Sequence, residues 1–185
     1  MPAEPTPGSV GSSAAHPAAG GPRVRAALPA DVRRIKELVL PYALRRILIA
    51  KDLVHYFEHV QEFLVAEAPA GEVVGCGALH VLWDDIAEVR TLAVDEAHLG
   101  SGVGHLLLAA LLDRARALGL RRVFCLTFEV DFFARHGFHP IEGTPVGTDV
   151  FAEMLNSHDD GVAEFLDLAR VKPNTLGNTR MLCEL

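Results

Sequence analysis

Cysteine is scarce and scattered: Cys76, Cys125 and Cys183 are the only three in 185 residues. No two form a CxxC pair, and no Cys/His spacing matches a zinc ligand set, so neither a disulfide framework nor a metal site is expected. Buried thiols in a reducing, cytoplasmic setting are the plain reading. Basic residues are also short, with 17 Lys and Arg against 24 Asp and Glu and a formal net charge of -7. A general nucleic-acid binder carries a basic stripe, so nucleic acid is not an expected partner. A local basic cluster could still receive an anionic ligand. No apolar run approaches the about 20 residues that span a bilayer, so no membrane partner is expected either. The opening stretch lacks the basic start and apolar centre of a secretion signal. It is rich in Pro, Ala, Gly and Ser and has almost nothing to bury, which predicts a disordered extension over residues 1–22. What is present is a chain half apolar in composition. That is enough for one globular domain, placed over residues 23–185.

Periodicity then orders the elements. Val24-Arg25-Ala26-Ala27 predicts a short strand. Pro29-Ala30-Asp31 opens a helix in which Ile35, Leu38 and Val39 recur at helical spacing, with Pro41 ending or kinking it. A second helix is expected from Lys51 to His59. Phe63–Ala66, Val73–Leu82 and Ile86–Val94 read as a three-strand meander with turns at Ala70-Gly71-Glu72 and Trp83-Asp84-Asp85. Val103–Leu118 is the clearest helix, with Leu106, Leu107, Ala110, Leu111, Ala115 and Leu118 as its apolar face and Gly119 as its stop. Val123–Leu126 predicts a strand, Asp131–His136 a short helix ended by Gly137, and Arg180–Leu185 a closing strand. Thr144–Asn178 reads as irregular except for a helix near Val162–Leu168. The order βααβββαβαβ points to an α+β fold and away from a regular βαβ alternation.

The informative stretch runs from Glu88 to His105. A strand enters a turn with Gly100, Gly102 and Gly104, and an amphipathic helix starts at once. Alternate glycines let backbone bend tightly and approach a ligand without a Cβ in the way. Successive N–H groups at a helix start offer donors and a positive dipole end to phosphate. Alone, such a turn could equally be a strand-to-helix connection that tolerates glycine.

Its flanks resemble the GCN5-related N-acetyltransferase (GNAT) superfamily. The family pattern Arg/Gln-x-x-Gly-x-Gly/Ala corresponds to Leu99-Gly-Ser-Gly102-Val-Gly104. A second block, aromatic-aromatic-x-x-x-Gly-Phe, corresponds to Phe132-Phe133-Ala-Arg-His-Gly137-Phe138. The resemblance implies a single-domain α+β fold with a mixed, largely antiparallel central sheet flanked by helices, and acetyl-CoA as cosubstrate. It implies that Leu92, Ala93 and Val94 present backbone to pantetheine, and that Leu99, Gly100, Ser101, Gly102, Val103, Gly104 and His105 hold the pyrophosphate. Thr127–Phe138 and Val171–Met181 further resemble the short N-acetylglutamate synthases of actinobacterial type, which acetylate the α-amine of L-glutamate or L-glutamine at the entry to arginine biosynthesis. The chain has no room for the amino-acid-kinase domain of longer synthases, so arginine feedback through such a domain is not expected. A homodimer is left open.

Two positions depart from the family pattern. Leu99 replaces the usual Arg or Gln, leaving backbone donors and Arg135 to meet the phosphates. Phe133 replaces the Tyr that protonates the leaving thiolate in many relatives, and a phenyl ring cannot do so. Glu88 occupies a strand position where some GNAT enzymes keep a carboxylate base, acting directly or through one water. Glu88, Arg90 and Leu92 are expected to share a strand face, so Arg90 would hold Glu88 ionised or bind a substrate carboxylate. The resemblance also assigns Lys51, Asn178, Thr179 and Arg180 to the amino-acid pocket, with Lys172 as a further candidate. Each has a plainer alternative as a solvated surface group. His55 and His59 share a helix face without a third ligand, so no metal is expected there. Two other functions stay open: acetylation of protein N-termini or lysines, and a non-catalytic acyl-CoA-binding regulatory module.

Overall fold

The structure is a computed structural model describing residues 20–171 and 177–185. Lys172 and most of the extension read over residues 1–22 lie outside the described residues. Strand β1 (Arg23–Ala26) is followed by helices α1 (Val32–Leu44) and α2 (Leu53–Glu58). Strands β2 (Phe63–Glu67), β3 (Val73–Val81) and β4 (Ile86–Val94) form the meander. Helix α3 (Val103–Ala117), β5 (Arg122–Thr127), α4 (Val130–Ala134), the two-residue β6 (His139–Pro140), α5 (Thr148–Met154), α6 (Asp160–Phe165) and β7 (Thr179–Glu184) complete the chain.

The seven strands form one sheet in the order β1-β2-β3-β4-β5-β7-β6, antiparallel except for the β4–β5 pair. Helices cover both faces. The apolar side of α1, Val32, Ile35, Leu38 and Val39, packs with Tyr56 of α2 against Cys76, Ala78 and Ala93. Leu107, Leu108, Leu111, Leu112 and Ala115 of α3 pack on Ala87, Val89 and Val123. A third cluster joins Phe124 and Leu182 of β5 and β7 to Met154 of α5 and Phe165 of α6.

Several local expectations change. The buried stripe of α3 is rotated: Leu106 and Leu118 are exposed, while Leu108 and Leu112 are buried. Pro41 does not end α1, which continues to Leu44. The segment read as irregular contains α5, held by Met154 in the third cluster. A helix so short depends on tertiary packing more than on propensity.

Two features shape the centre of the sheet. Strands β4 and β5 are paired only from Ile86 to Glu88, opposite Arg122 to Phe124, and diverge beyond. Strand β4 also bulges: Cys76 faces Ala93 but Ala78 faces Arg90, leaving one extra residue on β4. Thr91 takes up the extra residue with φ +57, uncommon for a β-branched residue. The bulge places Leu92 with Ala87 and Val89 against α3. Leu92 therefore does not share the Glu88–Arg90 face, because one inserted residue reverses the alternation.

Candidate active site

Two cavities open where β4 and β5 part, and they share Ile47, Leu48, Val89, Arg90, Thr91 and Leu126 as walls. The first, about 630 Å³, lies between the Ile47–Asp52 loop, α2, Glu88–Thr91 of β4 and the His158–Gly161 segment at the start of α6. Lys51, Glu164 and Asn178 also line it.

Glu88 lines it, 3% exposed, at the last position where β4 pairs with β5. Its Oε2 has no hydrogen-bond partner among the described residues, and Arg90 Nη1 is 3.9 Å away. Burial pushes the Glu88 carboxyl above the usual carboxylate range, with Arg90, His80 and Lys51 opposing that shift. A buried carboxylate with a raised pKa and an unengaged oxygen is equipped to accept a proton.

Arg90 is itself enclosed. Its Nη1 donates to both oxygens of Asp159, at 2.9 and 3.2 Å, and its Nη2 to Glu62 Oε2 at 3.1 Å. Against burial, which favours the neutral acid, Arg90 holds Asp159 down at about 2. Asp159, Glu62 and His80 were not singled out by sequence reasoning. Glu62 and Asp159 lie 28 and 69 positions from Arg90. No local spacing links them.

Lys51 Nζ is 2.9 Å from His55 Nε2. Burial, then the adjacent Lys51 charge, lowers His55 to about 4, so its ring is neutral near pH 7 and accepts from the ammonium. Burial and the Arg90 charge lower the Lys51 pKa as well. His55 and His59 stack on each other, their ring centroids 4.1 Å apart.

The second cavity, about 580 Å³, runs from β4 to the glycine turn and α4. Gly100 and Gly102 have φ of +74 and +88 and open space where a Cβ would stand. Gly104 has no positive φ, and its Cβ would rest 3.4 Å from Phe132. The helical bonds of α3 begin with Leu106 N–H to Gly102 O at 3.0 Å. The amides of Val103, Gly104 and His105 therefore have no carbonyl partner within the helix, the arrangement that receives phosphate.

The sequence profile described as Acetyltransferase (GNAT) family matches residues 33–138. The chain belongs to this family. The acetyltransferase is 61% identical over 166 residues to an amino-acid acetyltransferase of Mycobacterium tuberculosis, covering 89% of this chain and 95% of that one. Its structure superposes on the Mycobacterium tuberculosis protein Rv2747, solved in complex with CoA and NLQ, with a TM-score of 0.86 at 61% identity, covering 89% of this chain and 99% of that one. It also shares its fold, at TM-score 0.70 and 24% identity, with N-acetylglutamate synthase from Neisseria gonorrhoeae complexed with coenzyme A and N-acetyl-glutamate. That match covers 90% of this chain and 35% of the gonococcal one. Acetyl-CoA is the acetyl donor of this acetyltransferase.

The glycine-turn cavity holds most residues assigned to the donor by sequence. Leu92, Val94, Leu99, Gly100, Gly102, Val103, Gly104, His105, Phe133 and Arg135 line it. Ala93 of β4 is buried in the cluster with α1, and the Ser101 hydroxyl donates to His98 O. Tyr42 and Thr127 are additions that sequence reasoning missed. Of the acceptor residues, Lys51, Arg90 and Asn178 meet in the first cavity, whereas Thr179 and Arg180 do not line it.

Arg180 is engaged elsewhere. It donates to the carbonyls of Gly143, Glu164 and Phe165, and its guanidinium lies 4.9 Å over the Phe124 ring. These contacts support α6 and its neighbouring loop. Hydrogen bonds from a charged donor are worth about 1.5–3 kcal/mol, so Arg180→Ala is expected to lower the melting temperature by several degrees. Differential scanning calorimetry checks this, and an unchanged melting temperature would show that the contacts are dispensable.

Proposed function

We propose that the acetyltransferase moves the acetyl group of acetyl-CoA to the α-amine of L-glutamate or L-glutamine, by direct attack in a ternary complex. The observation that carries this reading is the buried Glu88, with an unengaged oxygen, at the junction of a glycine-turn cleft and a second cavity containing Lys51 and Arg90. The N-acetylglutamate synthase likeness and the amino-acid acetyltransferase relative support the same acceptor class and a role at the entry to arginine biosynthesis.

The chemistry follows from charge. The acceptor amine arrives protonated and must lose a proton before its nitrogen lone pair can attack the thioester carbon. Glu88 takes that proton, directly or through one water. The nitrogen adds to the thioester carbonyl to form the C–N bond, and collapse of the adduct breaks the C–S bond. The sulfur leaves as thiolate, and the second proton of the nitrogen passes to solvent or to that thiolate to leave a neutral amide. Phe133 cannot protonate the thiolate. Thr127 is buried, lines the donor cleft, and its Oγ1 accepts Glu129 N–H at 2.9 Å. Its own hydroxyl hydrogen is free to be donated toward the sulfur.

Lys51 supplies the cation for the acceptor. His55 anchors the ammonium without neutralising it, since a neutral imidazole brings no opposing charge. Loss of a charge-assisted hydrogen bond is worth about 1.5–3 kcal/mol. Lys51→Ala is therefore expected to raise the Michaelis constant for glutamate or glutamine about ten- to a hundredfold. The Michaelis constant for acetyl-CoA should stay near its parent value. Steady-state kinetics with each substrate varied in turn tests this, and an unaltered acceptor constant would contradict the proposed acceptor contact.

A further inference from the structure

The guanidinium of Arg90 lies beside Glu88 without hydrogen-bonding to it. Asp159 takes Nη1 at 2.9 Å, Glu62 takes Nη2 at 3.1 Å, and Glu88 Oε2 is left at 3.9 Å. The three carboxylates come from separate parts of the chain: the turn before β2, strand β4 and the residue before α6. Glu62 is fixed in turn by His80 Nδ1 at 2.8 Å. Asp159 is fixed by the Val162 N–H, which it accepts at 3.0 Å. Gly161 closes the arrangement, because a Cβ there would stand 2.7 Å from both Glu88 Oε2 and Arg90 Nη1. The start of α6 therefore seats directly on the pair.

A cation already hydrogen-bonded to two carboxylates compensates a third only in part. A lone Arg90 would swing onto Glu88, form a short charge-assisted pair and make the carboxylate a weak base. We infer that Asp159 and Glu62 are positioning residues that hold Arg90 back from Glu88 and so set the basicity of the group that deprotonates the acceptor. The inference rests on Glu88 being the base.

Other groups act on Glu88 from every side. His80 projects from β3, Lys51 from the loop before α2, Cys125 from β5 and Arg180 from β7, with Glu164 on α6 beyond Lys51. Arg90 and Asp159 act on Glu88 in opposite directions: the cation stabilises its ionised form and the carboxylate opposes it. Substitution of the two must then move the pH profile in opposite directions, which general damage to the site would not do.

The test is the acid limb of kcat/KM for the amino-acid acceptor, measured in the parent enzyme, Arg90→Gln, Arg90→Lys, Asp159→Asn and Glu88→Gln. Without the Arg90 cation the limb should move to higher pH by about 1–3 units. Arg90→Lys should hold it near the parent position. In Asp159→Asn the limb should move to lower pH by about one unit, since a carboxylate is removed and Arg90 is released toward Glu88. Thermal melting and acetyl-CoA affinity report whether each variant is folded. Should Arg90→Gln not fold, Asp159→Asn and Glu62→Gln decide the matter, a downward shift supporting the inference and an upward or absent shift overturning it. Movement of Arg90→Gln and Asp159→Asn in the same direction, or no movement in either while Glu88→Gln abolishes the limb, overturns it and leaves Glu88 as the base. A limb that persists unchanged in Glu88→Gln defeats the base assignment itself.

Discussion

Glu88→Gln is expected to lower turnover at neutral pH by about two to four orders of magnitude, the usual contribution of a positioned general base. The amide keeps the shape of the side chain but cannot take a proton. The fold should survive, because Arg90 retains Asp159 and Glu62 as partners and is not left as an uncompensated buried charge. Acetyl-CoA affinity should also survive, since the glycine turn and α3 are untouched. The residual rate should climb with pH as more of the acceptor amine is free before it binds. Steady-state assays over a pH series, with calorimetric titration of acetyl-CoA, separate these effects. Full turnover at neutral pH would make Glu88 a structural residue.

Gly102→Val is expected to weaken acetyl-CoA binding about ten- to a hundredfold, for a reason of backbone and not of space. Nothing lies within 4 Å of a Cβ at that position, but φ is +88. A β-branched residue held there is strained by about 1–3 kcal/mol. Relaxation of that strain would turn the first amides of α3 away from the direction in which a phosphate would meet them. Gly71→Val is the matching control, for Gly71 has the same φ of +88 and open space around its Cβ but sits in the β2–β3 turn, away from both cavities. Isothermal titration of both variants with acetyl-CoA should therefore show loss in the first and near-parent affinity in the second. Equal affinities would remove the glycine turn from the donor site.

The parts of the fold legible in the sequence are those in which the local pattern and the final packing agree. Strand β4 has the bounds Ile86–Val94 read from its apolar run, and α3 starts at Val103, directly after the glycine turn. Gly137 has the positive φ expected of a helix terminator. Periodicity could not reveal the bulge at Thr91, which depends on how β3 and β4 align, and so it placed Leu92 on the wrong face. It also missed α5, whose seven residues are held by contacts with β5 and β7 more than by their own pattern.

The site divides in the same way. Much of the donor cavity comes from one stretch, Leu92 to His105, with α4 following closely after β5, and that part was readable, whereas Tyr42 and Thr127 join it from elsewhere in the chain. The acceptor half is assembled from Lys51, Glu62, Glu88, Arg90 and Asp159, which meet only once the sheet has formed. Glu88, Arg90 and Lys51 could be nominated singly from their type and the family resemblance. The Glu88–Arg90 adjacency followed from strand alternation, but their meeting with Glu62 and Asp159 did not. The hydrogen bonds of Arg180 to the Glu164 and Phe165 carbonyls were likewise not legible from its place in the sequence.

The cavity beside Glu88 is proposed to receive a free amino acid, whose α-amine acetyl-CoA acetylates. The most direct measurement is CoA thiol release, with mass-spectrometric identification of product, across the free amino acids and a set of peptides bearing free N-termini and lysines. Rapid thiol release with glutamate or glutamine, an N-acetylated product, and no turnover of peptides above background are expected. Turnover of peptides with glutamate and glutamine inert, or acetyl-CoA binding without turnover of any acceptor, would contradict the proposed reaction.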